Sequence, residues 1–245
     1  MTIIYVLKLY PKIETELLLE HVLKKPKEFI LARPEHRLNS VQTKKLGKLA
    51  ERRTRGEPVA YLLGFKYFYG LKFKVNRRVL IPRPETETLV ELALSAISDK
   101  RLAIDNNIVD LGTGSGNIII SIAKKNAEYA GLDQHTPKLY GIDLSQKSLV
   151  VARQNAKAHG VVGRIKFMRG NLLQAFLHSK FSILNSIIIA NLPYLTPEQY
   201  KNNPKLKFEP KSALVGGRDG LKYFKELFKQ LTVICHPRPR IKSGA

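Results

Sequence analysis

No stretch of this chain leaves less conformational choice than Val109-Asp110-Leu111-Gly112-Thr113-Gly114-Ser115-Gly116-Asn117. An apolar, β-favouring run ends at Gly112 and an apolar helical pattern starts at Asn117, so the glycines must turn a buried strand directly into a helix. Such a turn lets a ligand approach bare backbone, and the helix behind it offers unpaired N–H groups to a carboxylate or phosphate. The spacing is G-x-G-x-G rather than the dinucleotide fingerprint, because position 117 is Asn, and the Gly-Lys-Ser/Thr of a P-loop is absent.

Strands and helices alternate around this turn. Strands are expected over 108–111, 139–143, 164–168 and 186–190, with helices over 117–129 and from a Ser145 cap to Gly160. Alternation of this kind predicts an α/β fold: a parallel sheet with right-handed crossovers, covered on both faces. The second strand ends in Asp143, where a carboxylate can accept both hydroxyls of an adenosine ribose. A bare turn and a helix cap would explain the glycines and Asp143 one at a time. Their joint placement at the carboxyl ends of adjacent strands points to a nucleotide-like ligand.

The first part of the chain is different. Ile13, Leu17, Leu18 and Val22 recur at helical spacing up to Pro26, Phe29-Ile30-Leu31 form a short cluster before Pro34, and a helix capped by Ser40 presents Leu46, Leu49 and Ala50 before Gly56. Three short helices make a small bundle, assigned to residues 1–58. Tyr61, Phe65, Phe68, Phe73, Val75 and Val79, with Gly64 and Gly70 between them, suggest a β-hairpin linker over 59–83. A third region, 84–245, opens with Pro84 in a first helical turn and a stripe of Leu89, Leu92, Ala93, Ala96 and Ile97.

The strand over 186–190 runs into Asn191-Leu192-Pro193-Tyr194, at the same sheet edge as the glycine turn. An sp2 nitrogen conjugated to a carbonyl is a poor nucleophile. A site that accepts both of its N–H protons draws the lone pair out of conjugation, and the Asn191 side-chain oxygen and the Leu192 carbonyl are suitable acceptors. Pro193 stiffens the turn, and Tyr194 offers a flat face to a planar group. No strong base is needed, so the chemistry reduces to orientation and electrostatics. An Asn/Pro turn alone closes strands in many α/β proteins; its interval from the glycine turn is what makes it informative.

The glycine turn and Asp143 resemble the first two motifs of class I (Rossmann-like) methyltransferases. Together with Arg55-Gly56-Glu57-Pro58-Val59-Ala60-Tyr61, Leu80-Ile81-Pro82-Arg83-Pro84-Glu85-Thr86-Glu87, Glu209-Pro210 and Gly216-Gly217-Arg218-Asp219-Gly220-Leu221, the chain resembles the HemK/PrmC glutamine-N5 methyltransferases that act on peptide chain release factors. The resemblance spans roughly residues 40–231. It implies S-adenosyl-L-methionine held by Gly112, Thr113, Gly114, Ser115, Gly116, Asp143, Asn171, Leu172 and Asn191, a substrate-recognising helical domain, and a Gly-Gly-Gln glutamine held by Asn191, Leu192, Pro193 and Tyr194. Position 192 departs from that family's usual Asn-Pro-Pro-Tyr, and Asn171 stands where Asp is usual. The chain's last residues look like the turn before the family's fifth sheet strand. The expectation is therefore a sheet truncated before strand 5, with Ile187-Ile188-Ile189 left at an edge.

The remaining composition narrows the setting. One cysteine, Cys235, excludes a disulfide framework and fits a reducing cytoplasm, no Cys/His spacing suggests a metal, and no apolar run is long enough to span a bilayer. A net charge of +22 predicts attraction to polyanions or an acidic partner. Leu192 and that charge keep an adenine-N6 nucleic-acid methyltransferase as the rival reading, while residues 55–87 favour the glutamine enzyme; a monomer is expected. A third reading is an inactive fragment serving as a binding module.

Overall fold

The computed structural model describes residues 1–10, 12–99, 107–129, 137–176, 183 and 186–235. Internal packing divides the chain into a unit of Met1–Phe65 and a unit of Lys66–Ala245.

The first unit is helical: α1 (Ile3–Leu9), α2 (Lys12–Leu23), α3 (Lys27–Ala32), α4 (Ser40–Thr54) and α5 (Val59–Leu63). Its core joins Ile3 and Val6 to Leu18, Leu19, Val22, Leu23, Ile30, Leu38, Leu46, Leu49 and Leu62. The expected stripe on α2 is rotated, because Leu17 is exposed, and Ile13 has a side chain outside the described residues. The cap of α4 is Asn39 rather than Ser40. Its side chain accepts from the Gln42 N–H while Gln42 returns a bond to the Asn39 backbone, a reciprocal box that satisfies two otherwise orphaned donors. Across the bundle, Arg53 grips Glu14 with two bonds of 2.6 and 2.7 Å.

The hairpin is shorter than expected. Val59–Leu63 is a helical turn between Pro58 and Gly64, whose φ of 81° ends it, and only β1 (Phe65–Phe68) and β2 (Leu71–Lys74) pair. Pro and Gly in those two places are start and stop signals that outweigh the aromatic content.

The second unit is the α/β part. After α6 (Glu87–Ser98) come β3 (Asn107–Leu111), α7 (Asn117–Tyr129), β4 (Lys138–Asp143), α8 (Gln146–Ala158), β5 (Ile165–Arg169), β6 (Ser186–Ala190), the short α9 (Pro197–Lys201) and α10 (Lys222–Cys235). The four strands from β3 to β6 pair in parallel in the order β5-β4-β3-β6, so β3 is buried along its whole length. Alternate residues face opposite layers. Ile108, Leu139, Ile165, Phe167 and Ile189 pack with α6, α7, α8 and the hairpin phenylalanines Phe68 and Phe73. Val109, Leu111 and Ile142 pack with Leu172, Leu173, Phe176, Leu192 and Leu227. The stripe expected on α6 is shifted, with Leu92 exposed and Val90 and Ala93 as the buried anchors; on α10 Leu227 is buried and Phe228 exposed.

Among the described residues β6 pairs only with β3, so the edge expected for 187–189 is observed there. The last residues, 236–245, on which the truncation expectation turned, lie outside the description.

Candidate active site

Strand order reverses at β3, whose neighbours β4 and β6 carry the chain away to opposite sides. The carboxyl ends of such strands leave a crevice between diverging loops. A cleft of about 460 Å3 opens there, lined by Gly112, Thr113, Gly114, Ser115, Asp143, Asn171, Leu172, Asn191, Leu192 and Pro193, with the wall completed by residues of 77–86 and Tyr223.

The glycine turn closes on itself. The N–H groups of Gly112 and Thr113 both donate to the Ile142 carbonyl, at 2.8 and 2.9 Å, and Gly116 N–H donates to the Thr113 carbonyl at 2.7 Å. Positive φ at Gly112, Gly114 and Gly116, of 74, 56 and 81°, is a conformation that a side chain would strain. The three serve different ends. A Cβ on Gly112 would come within 3.6 Å of Leu192 Cδ2, so the glycine turn and the tetrapeptide lie in direct apposition. Gly116 does not line the cleft; a Cβ there would meet Ile120 Cδ1 at 2.6 Å and Ala152 Cβ at 3.2 Å, so its lack of a side chain lets the start of α7 pack closely on α8.

Asp143 ties the turn to β4. One carboxylate oxygen accepts from Gly114 N–H at 2.9 Å and the other from Ser145 N–H at 2.8 Å. Burial raises its pKa, against the lowering effect of those two N–H groups. Each oxygen retains a lone pair for a further donor in the cleft. Beneath the turn, Asp110 accepts from the Thr113 hydroxyl at 2.6 Å, while its second oxygen has no hydrogen-bond partner among the described residues.

Past β5, Gly170 N–H donates to the Asp143 carbonyl, bringing Asn171 to the cleft beside the carboxylate. Leu172 holds a φ of 54°, unusual for a branched apolar residue, and is buried at the start of a 3-10 turn. Leu173 N–H donates to Gln230 on α10 at 2.8 Å, which fixes that turn from behind.

At the tip of β6, Asn191 lines the cleft and its side-chain NH2 donates to the Thr86 hydroxyl at 3.2 Å. Leu192 is 3% exposed and packs in the apolar layer with Val109 and Leu111, so the residue that departs from the family's proline fills the space beside the glycine turn. Pro193 is in the cleft wall; Tyr194 is not, and is 63% exposed. The tetrapeptide is backed by 214–220: Leu195 N–H donates to the Leu214 carbonyl and Gly216 N–H to the Leu195 carbonyl, both at 2.9 Å. A Cβ on Gly216 would lie 2.3 Å from the Pro193 carbonyl oxygen, and one on Gly220 2.3 Å from that of Tyr194.

The roles of two residues at this site escaped the sequence reading. Glu209, 6% exposed, accepts from Ile81 N–H at 3.0 Å and pairs with Arg83, anchoring the cleft wall. Asn155 on α8 donates to the carbonyls of Lys74 and Ser115 and accepts from Lys74 N–H, joining the hairpin to the glycine turn. Both act across long stretches of chain, where no periodicity or spacing carries a signal. Among the described residues no group of three or more His, Cys, Asp or Glu could hold a metal, and no helix is long and apolar enough to cross a membrane.

Known proteins resemble this chain over most of its length. A family model described as the PrmC N-terminal domain matches residues 9–64, and one described as a methyltransferase domain matches 104–231. The chain is 40% identical over 216 residues to the release factor glutamine methyltransferase of Coxiella burnetii, covering 88% of this chain and 72% of that protein. It is 36% identical over 222 residues to the protein of the same name from Bacillus cereus, covering 88% and 73%. With the solved catalytic domain of hMettl16, bound to an RNA hairpin, it shares 13% identity over 66% of this chain and 58% of that one, at a TM-score of 0.47.

Proposed function

This chain belongs to the release factor glutamine methyltransferases, and on that premise we propose that its cleft transfers a methyl group from S-adenosyl-L-methionine to the side-chain amide nitrogen of a glutamine in a peptide chain release factor, leaving S-adenosyl-L-homocysteine and releasing one amide proton to water after transfer. The observation that carries the site assignment is the apposition of the glycine turn and the tetrapeptide, with Gly112 facing the Leu192 side chain inside one cleft.

The residues present fit the cofactor. A cleft of about 460 Å3 falls within the range of about 300–1,000 Å3 typical of small-molecule sites. Gly112 and Gly114 leave the backbone bare, Asp143 presents a carboxylate to vicinal hydroxyls, and Asn171 offers an amide to a purine edge. When bound, S-adenosyl-L-methionine supplies a methyl group on a positively charged sulfur.

The chain's own part is orientation. Asn191 Oδ1 and the Leu192 carbonyl accept the two protons of the glutamine NH2, which weakens its conjugation with the carbonyl and points its lone pair into the cleft. Pro193 fixes the turn that aims both acceptors. With Tyr194 outside the cleft wall, its ring serves the approach of the glutamine-bearing loop rather than the floor of the pocket. The helical unit, matched by the PrmC N-terminal domain, recognises the release factor, and the enzyme acts as a monomer in the cytoplasm.

The test is transfer of labelled methyl to a release factor or to RNA by the purified protein and by Asn191→Ala. The expected result is label in release-factor glutamine, a fall on the order of 100-fold or more in the variant, and cofactor affinity close to wild type by calorimetry. Label confined to RNA, or an unchanged rate in the variant, would overturn the assignment.

A further inference from the structure

We propose that Thr86 is a positioning residue for Asn191, its hydroxyl tethering the amide side chain at the cleft so that Oδ1 stays available to the substrate nitrogen. This rests on the reading of Asn191 as an acceptor given above.

An asparagine side chain at a cleft wall can swing about its χ angles, and a hydrogen bond to a fixed partner limits that motion. Asn191 Nδ2 donates to Thr86 Oγ1 at 3.2 Å, and both residues line the cleft. Without that bond the amide is free to swing away from the glutamine NH2, and the nitrogen would lose the acceptor that draws out its lone pair.

Thr86 is itself held on three sides. It is 8% exposed, and its N–H donates to the Arg83 carbonyl at 3.0 Å within the turn Pro84–Thr86. Upstream, Glu209 accepts from Ile81 N–H and pairs with Arg83. Downstream, Glu87 accepts from Tyr69 N–H at 2.8 Å. A β-branched side chain in a helical turn has few rotamers, so anchoring this backbone also aims the hydroxyl. A pair 105 residues apart in sequence is thereby brought into register by fixed backbone on the Thr86 side.

Thr86→Val keeps the shape and removes the acceptor, whereas Thr86→Ser keeps the acceptor. We expect Thr86→Val to lose about 10- to 100-fold in kcat, with cofactor affinity and thermal midpoint near wild type. Thr86→Ser should recover most of that rate, and adding Thr86→Val to Asn191→Ala should cost nothing further. A wild-type rate in Thr86→Val beside an inactive Asn191→Ala would overturn the role of Thr86 and leave that of Asn191 standing. Equal losses in Thr86→Val and Thr86→Ser, accompanied by a lowered thermal midpoint, would overturn it in favour of simple packing. A wild-type rate in Asn191→Ala would remove the premise of both.

Discussion

Asp110 lies 1% exposed under the glycine turn, one oxygen bonded to Thr113 and the other without a partner among the described residues. Burial pushes its carboxyl up to about 7, the charge of Asp143 adds to the effect, and the Thr113 hydroxyl opposes it. A folded-state pKa above the unfolded value means the folded chain keeps a proton that the unfolded chain releases. This group therefore erodes stability as pH rises from about 4 to about 7, and its penalty is complete above that window. Asp110→Asn should shrink the fall in thermal midpoint between about pH 5 and about pH 8, measured by thermal unfolding at both; an unchanged difference would show that Asp110 ionises without cost. Asp143→Ala removes the acceptor of Gly114 and Ser145 and should weaken cofactor binding by about tenfold or more in calorimetry. Asp143 and the glycines were legible because each ends or turns an apolar run. That Tyr194 stands outside the cleft wall was not legible, because an aromatic beside a turn carries no sign of which way it faces.

Elements meet at this site through side chains that the local pattern does not mark. α8 holds the hairpin by Asn155, which satisfies Lys74 N–H and the carbonyls of Lys74 and Ser115, and by Ser148, whose hydroxyl donates to the Arg78 carbonyl. Asn155→Ala leaves the buried Ser115 carbonyl and the part-buried backbone bonds of Lys74 without their partner and should cost about 1–2 kcal/mol in urea unfolding. A loss below about 0.5 kcal/mol would show that water or another side chain takes its place. Behind the tetrapeptide, Gly220 combines a φ of 76° with a gap too small for a Cβ against the Tyr194 carbonyl. Gly220→Ala should thus displace 191–194 and lower kcat more than cofactor affinity, a split that steady-state kinetics reads directly. Helix–strand alternation was legible along the second unit because apolar periodicity there is long and regular. It failed at Val59–Leu63, where five residues are too few to display a period and the flanking Pro58 and Gly64 were the better guide.

At the scale of the molecule, a net charge of +22 meets an interior that draws Asp110, Asp143 and Glu209 inward, leaving the outer surface still more basic. Long-range attraction of this kind accelerates encounter with an acidic protein and is screened by salt over about 8–10 Å. Raising ionic strength should therefore increase KM for the release factor several-fold while changing kcat little; insensitivity of KM to salt would mean the charge does not steer this partner. The order of strands and helices, the strand-to-helix turn and the acidic end of the next strand were determined by the sequence alone, since each follows from local sterics and apolar period. Strand order, the apposition of Gly112 with Leu192, the grip of Thr86 on Asn191 and the anchoring by Glu209 were decided only by tertiary structure. Those contacts join residues distant in the chain, and local pattern does not encode which distant partner a hydrogen-bonding group will find.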